Sequence, residues 1–245
     1  MRNIKLTIEY DGTNYSGWQK QANTNNTIQE EIENAIEKVV DEKVTIIGAG
    51  RTDKGVHGRG QVANFNTNSR IPEEKFKYAI NRYLPEDIAI VESIEVEEFF
   101  HSRYDALGKK YKYLIYNAPV KSPIFRNYSY YIPYKLNIQS MDKAKDYFIG
   151  KHDFAAFMAS GSSIKDTIRN IYYISLTNCN NIIEFEIYGD GFLYNMVRII
   201  VGTLIDIGRG KIESDSIPNI LKSKDRKNAG HTAAAEGLYL EKVCY

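Results

Sequence analysis

A chain of 245 residues can build one large domain or two modest ones, each with its own core. Hydrophobic residues at 43 % and charged residues at 26 % are ordinary for a water-soluble globular protein, and two cysteines, Cys179 and Cys244, support neither a disulfide framework nor a cysteine metal site. The net charge of +1, from 32 basic and 31 acidic residues, argues against indiscriminate nucleic-acid binding but leaves room for a local basic groove.

The chain opens on Ile4, Leu6, Ile8 and Tyr10 alternating with Lys5, Thr7 and Glu9, which predicts a half-buried strand. It runs into that strand without a signal-peptide pattern. The densest apolar stretch, 196–207, is interrupted by Arg198 and Asp206, so a cytoplasmic protein without a membrane span is expected. After a turn at 11–14, Thr27 stands three residues before Glu30 as in a capping box. Ile28, Ile32, Ile36 and Val40 then recur every fourth residue, the pattern of an amphipathic helix. Short strands are predicted at 44–47 and 62–65. Pro72 opens a second helix with Phe76, Ala79, Ile80, Tyr83 and Leu84 as its apolar face, and a strand follows at 88–96.

The second half predicts strands at 110–116, 128–134, 169–177 and 182–188, a short helix at 141–149, a long helix at 193–208 and a closing strand at 237–243. Strands and helices mixed with short connections imply an α+β protein: two lobes of mixed, mainly antiparallel sheet with flanking helices. The boundary is placed at the 99–108 stretch, giving lobes 1–105 and 106–245.

Chemistry concentrates between Gly48 and Gly60, where five glycines surround Arg51, Asp53, His57 and Arg59. Glycine permits positive φ and close backbone approach, so such a segment can wrap a ligand or hold a strained turn. It is not a Walker loop, because no Gly-Lys-Ser/Thr follows, nor a dinucleotide fingerprint, because a strand rather than a helix comes next. Composition alone leaves a solvated charged turn as an open alternative.

The run Gly50-Arg51-Thr52-Asp53, continuing through Gly55-Val56-His57 to Gly60-Gln61-Val62, resembles the catalytic loop of the TruA family of tRNA pseudouridine synthases. Further anchors follow in the family's order. They include Tyr10-Asp11-Gly12-Thr13, Gly17-Trp18-Gln19, Leu84-Pro85-Glu86-Asp87-Ile88, Lys110-Tyr111-Lys112-Tyr113, Met196-Val197-Arg198 and Glu236-Gly237-Leu238-Tyr239-Leu240. Lys54 departs from the pattern, since many members carry alanine there.

The resemblance implies the pseudouridine synthase fold, with an active-site cleft between the lobes, and isomerisation of uridine at positions 38, 39 and 40 of the tRNA anticodon stem-loop. It makes Asp53 the nucleophile, Arg198 its pairing cation and Tyr111 the residue against the target base. An arginine between Val197 and Ile199 is in any case costly to bury without a partner. Tyr111 and Tyr113 project to one face of their strand, and Tyr113 is read as core. Arg51 is implied in displacing the target nucleotide, and His57, Lys110 and Arg59 in binding RNA, with bracing of the loop left open for His57. Lys109, Lys112, Lys20, Arg103 and Arg169 are further phosphate-groove candidates. The reaction has no redox change, so no cofactor or metal is expected, and the family implies a homodimer. A non-catalytic RNA-binding protein on the same fold is the competing reading, and a nucleoside hydrolase would normally need a second acid.

Overall fold

Alternation along the first strand decides what the first half of the chain buries. In the structure, a computed structural model describing residues 1–24, 26–161 and 164–245, β1 (Arg2–Tyr10) buries Ile4, Leu6 and Ile8 completely. Thr27 caps α1 (Ile28–Val40), its hydroxyl accepting from Glu30 N at 3.4 Å. Next come β2 (Ile47–Gly48), β3 (His57–Thr67), α2 (Phe76–Asn81) and β4 (Ile88–Val96). β1 lies between β3 and β4, antiparallel to both, with Ile4 opposite Phe65 and Glu95; β2 pairs antiparallel with β3. Ile32 and Ile36 of α1 and Phe76 and Ile80 of α2 share one buried cluster with Ile4, Leu6 and Ile8. Burying each such side chain stabilises the fold by about 1.5–3 kcal/mol.

Several boundaries differ from those predicted, each for a local reason. β3 starts at His57, five residues before the predicted 62, so Gly58 and Gly60 are strand residues rather than loop. A Cβ at Gly58 would meet the Tyr10 ring at 2.4 Å, and one at Gly60 the Glu241 carbonyl oxygen at 2.5 Å. These glycines serve close approach, not flexibility. Of the predicted strand at 44–47 only Ile47 enters a ladder. Val44 and Ile46 are buried, but their N–H groups go to the carboxylates of Glu37 and Glu33 on α1, at 3.4 and 3.1 Å. α2 ends at Asn81, whose amide replaces a backbone partner, accepting from Ile90 N at 2.7 Å and donating to Ile90 O at 2.9 Å. Tyr83, predicted as part of its apolar face, is exposed.

The second part of the chain comprises β5 (Gly108–Asn117), β6 (Tyr130–Ile132), α3 (Ile138–Lys145), β7 (Gly150–Asp153), β8 (Ile168–Cys179), β9 (Ile182–Gly189), α4 (Met196–Gly208) and α5 (Ile217–Ser223). β5, β9, β8 and β7 pair antiparallel in that order, and β6 runs parallel to β5. Asn180 and Asn181 both have positive φ, 50° and 66°, as the two-residue turn between β8 and β9 requires. α4 is buried all round except at Arg198. β7 and α5 were not predicted. β10 (Leu238–Cys244) ends the chain parallel to β3, with Tyr239 opposite His57. Two compact units result, Met1–Leu107 with Tyr239–Tyr245, and Gly108–Leu238. Both carry mixed, mainly antiparallel sheet with helices, the α+β class that the sequence predicts.

Candidate active site

Asp53 is presented by a segment packed from several sides. A Cβ at Gly12 would lie 2.0 Å from the Val56 carbonyl oxygen, and one at Gly17, whose φ is +102°, would lie 2.7 Å from the Thr52 carbonyl oxygen. Trp18 N donates to that same Thr52 carbonyl at 3.0 Å. The Tyr10 and Thr52 hydroxyls bond at 2.8 Å, and Gln61 Nε2 donates to the Gly50 carbonyl at 2.9 Å. Burial, outweighing the bonds from Thr52 and Gln61, pushes the Tyr10 phenol up, so it stays protonated and available as a bracing group.

Asp53 itself is half-buried, and its carbonyl accepts from Val56 N at 3.1 Å. Gly55, with φ of +79°, occupies the third position of that turn, where positive φ marks type II. Lys54 takes the second position and is exposed. That position accepts most side chains, which explains why lysine is compatible with the family pattern there.

Arg51 is exposed, and its Nε donates to Gln19 Oε1 at 3.1 Å. Gln19 in turn donates to Gln29 on α1 at 2.6 Å, and Gln29 to Glu33 at 2.8 Å. Arg51, two residues before Asp53 in the sequence, is thus tied through a chain of amides to a helix. His57 is only 2 % exposed; its Nδ1 lies 3.1 Å from Asp11 Oδ1 and 3.2 Å from Gly12 N, and its ring stacks on Tyr239 at 4.8 Å. So buried a ring has almost no surface to offer RNA, and its contacts brace the Asp11–Gly12 turn. Arg59 is exposed, 3.7 Å from Glu241.

In the second unit, Tyr111 and Tyr113, two of the three tyrosines of β5, sit in different environments. Tyr113 is fully buried, donates its hydroxyl to the Ala234 carbonyl at 2.6 Å, and is held protonated by burial. It is the core tyrosine that the sequence predicts. Tyr111 keeps 8 % exposure and meets Phe192 edge-on at 5.1 Å. Arg198, half-buried, donates from Nε to the Ala233 carbonyl at 2.8 Å and from Nη1 to Asn195 Oδ1 at 2.7 Å.

Most of the basic candidates are engaged. Lys110 lies 2.9 Å from Glu186, and Lys112 sits 3.2 Å from Glu184 and 3.6 Å from Glu186. Lys20 bridges Glu33 and Glu30 at 3.4 and 3.6 Å. Arg169 donates to the Asp166 and Ile168 carbonyls, and Arg103 lies 5.8 Å over the Tyr104 ring. Among the described residues no cluster of three or more His, Cys, Asp or Glu side chains is arranged to hold a metal ion. None of their helices is long and apolar enough to cross a membrane.

A family model described as tRNA pseudouridine synthase matches residues 6–105 and 144–245. A tRNA pseudouridine synthase A of Acetivibrio thermocellus is 58 % identical over 245 residues, covering 100 % of both chains. One from a Thermoanaerobacter species is 54 % identical with the same coverage. A protein named tRNA pseudouridine synthase A 2, of Clostridium tetani, is 54 % identical over 100 % of this chain and 99 % of its own. Among solved structures, a chain in the crystal structure of a Cbf5-Nop10-Gar1 complex is a distant likeness. It shows 14 % identity and a TM-score of 0.38 over 95 % of this chain and 47 % of that one.

Proposed function

The chain belongs to the tRNA pseudouridine synthase family, an isomerase family, and we propose that it converts uridine to pseudouridine at positions 38, 39 and 40 of the tRNA anticodon stem-loop, with Asp53 as the nucleophile. The reaction cleaves the bond from C1′ to N1, turns the uracil, and joins C1′ to C5. The C5 proton leaves to a base and N1 gains one, so atoms and electrons balance without a redox partner. Carboxylates serve as covalent nucleophiles elsewhere in catalysis. A carboxylate in a site that excludes water is pushed toward its neutral form, and a nearby guanidinium reverses that. Arg198 is the cation assigned to this task. Tyr111 is assigned to stack on the target base and take part in proton transfer.

Arg51 is assigned to displace the nucleotide, a step that costs a few kcal/mol of unstacking. Its tie to Gln19 supports this reading, since a pre-oriented guanidinium loses less freedom on insertion. Arg59 and Lys110 meet backbone phosphates, as shape-based recognition of an A-form stem requires. His57 contributes through the turn it braces. We place the protein in the cytoplasm and, by resemblance, take it to act as a homodimer. The observation that carries the reading is the family match over both parts of the chain, together with a half-buried Asp53 on a segment fixed by Gly12, Gly17, Tyr10 and Gln61.

The test is position-resolved pseudouridine mapping of tRNA from cells lacking the gene, with and without the protein restored. The reading requires pseudouridine at 38, 39 and 40 to disappear and return together with the protein. Unchanged modification at those positions would refute the site assignment.

A further inference from the structure

The segment 226–234 lies against α4, with contacts spread along the helix from Arg198 to Asp206. At Gly202 the His231 carbonyl occupies the place of a side chain; an added Cβ would lie 1.8 Å from its oxygen. Thr203 Oγ1 accepts from Gly230 N at 2.9 Å. The Asp206 carboxylate accepts from His231 twice, from the backbone N–H at 3.2 Å and the ring at 2.8 Å. Nearest the N-terminal end of α4, Ala233 N donates to the Arg198 carbonyl at 3.0 Å, while Arg198 Nε donates back to the Ala233 carbonyl at 2.8 Å. The guanidinium is therefore held by a carbonyl outside its own helix as well as by Asn195 Oδ1 at the N-cap of α4.

Past the short turn Arg226–Asn228 this segment has no regular structure until residue 235, so side chains must set its backbone. Arg226 is placed to do so. Its Nη1 donates to the Gly230 carbonyl at 2.8 Å and the Ala229 carbonyl at 3.4 Å, and its Nη2 to Thr232 Oγ1 at 3.1 Å. The acceptors are two carbonyls and a hydroxyl, and desolvation holds its pKa below the usual arginine value. A half-buried guanidinium resting on neutral oxygens loses hydration without gaining an ion pair, which a merely solvated arginine avoids.

We propose that Arg226 is a positioning residue: it shapes residues 229–232 into a strap whose next carbonyl, at Ala233, holds the Arg198 guanidinium in its working orientation. This rests on the role given above to Arg198. The planar fork matters because Nη1 and Nη2 reach the carbonyls and the Thr232 hydroxyl from two separate nitrogens, whereas lysine has a single one. Asp206 and His231 anchor the same strap from α4.

The experiment measures kcat, KM and melting midpoint on tRNA for Arg226→Lys, Thr232→Val, Arg198→Lys and the double variant Arg226→Lys/Arg198→Lys. A shift of the guanidinium on the order of 1 Å predicts a fall in kcat of about 100-fold for Arg226→Lys, with KM near wild type. Thr232→Val removes one acceptor and gives a smaller fall in the same direction; it carries the test if Arg226→Lys does not fold. In the Arg198→Lys background, Arg226→Lys adds little further loss, because both act through one group. A raised KM at unchanged kcat would make Arg226 an RNA contact and overturn the proposal. Full kcat below a lowered melting midpoint would make it purely structural and do the same. If Arg198→Lys is impaired but the two losses multiply, the strap alone fails; if Arg198→Lys retains full kcat, the role of Arg198 fails and the strap falls with it.

Discussion

Replacing Gly17 with alanine tests whether close packing is what fixes the segment bearing Asp53. Gly17 has φ of +102°, its N-terminal-side neighbours lead out of the Asp11 turn, and its carbonyl accepts from Ile28 N at 3.2 Å. A left-handed conformation costs an L-residue about 1–2 kcal/mol. The new Cβ would also lie 2.7 Å from the Thr52 carbonyl oxygen and 3.2 Å from the Asp53 carbonyl carbon. Both are backbone atoms, so relief requires the segment itself to move, and overpacking of this kind costs a further ~1–3 kcal/mol. The combined loss of about 3 kcal/mol lowers the melting midpoint by roughly 6–12 °C for a chain of this size. Displacing Asp53 on the order of 1 Å reduces turnover about 100-fold. Gly210→Ala is the control: φ there is +71° and nothing lies within 4 Å of an added Cβ, so it pays the conformational cost alone, about 1–2 kcal/mol, and keeps full activity. Differential scanning calorimetry and tRNA turnover measure both variants. A Gly17→Ala protein that melts like Gly210→Ala and turns over like wild type would refute the packing argument.

Two other substitutions separate core from chemistry. Tyr113→Phe strips a buried hydroxyl from the Ala234 carbonyl and costs about 1–3 kcal/mol of stability, read by urea denaturation, while leaving turnover within a few-fold of wild type; a large loss of turnover at intact stability would make Tyr113 part of the active site. Asp206→Asn tests the anchor on α4. Burial raises the Asp206 carboxyl, but bonds from the His231 ring and backbone and the charge of Lys211 outweigh it, holding the group below its ordinary value of 3.8. A depressed folded value means the stability from Asp206 is fully present above 3.8 and lost as pH falls through the lowered folded value. The variant is therefore less stable than wild type at neutral pH, and the gap closes in strong acid. A gap that persists undiminished there would contradict the assignment.

The residues show why some of this was legible beforehand and some was not. α1 was readable because Thr27, Glu30 and the four-residue spacing of its isoleucines are local signals. β1 and β9 were readable because one face of each is buried and the other is largely polar. The start of β3 was obscured by Gly58 and Gly60, which look like loop residues until Tyr10 and Glu241 are found against them. β7 is four residues long with no alternation, and α5 begins Ile217-Pro218 without a side-chain cap, so neither announces itself. Alternation in β10 reveals its faces but not its partner, and the parallel pairing with β3 joins Tyr239 to His57, far apart in the sequence. Asp53, Tyr111 and Arg198 were singled out by resemblance. The Ala233 carbonyl that orients Arg198, the Gln19 amide that holds Arg51 and the burial of His57 are all long-range, and no spacing in the sequence encodes them.

In the proposed function Asp53 performs the isomerisation rather than holding the fold or the RNA. Asp53→Asn keeps the size and shape of the side chain and removes its charge. Pseudouridine formed per protein on unmodified tRNA, measured alongside tRNA affinity and melting midpoint, is the direct test. Asp53→Asn is expected to form no detectable pseudouridine, with affinity and midpoint close to wild type. Appreciable turnover by Asp53→Asn would contradict it.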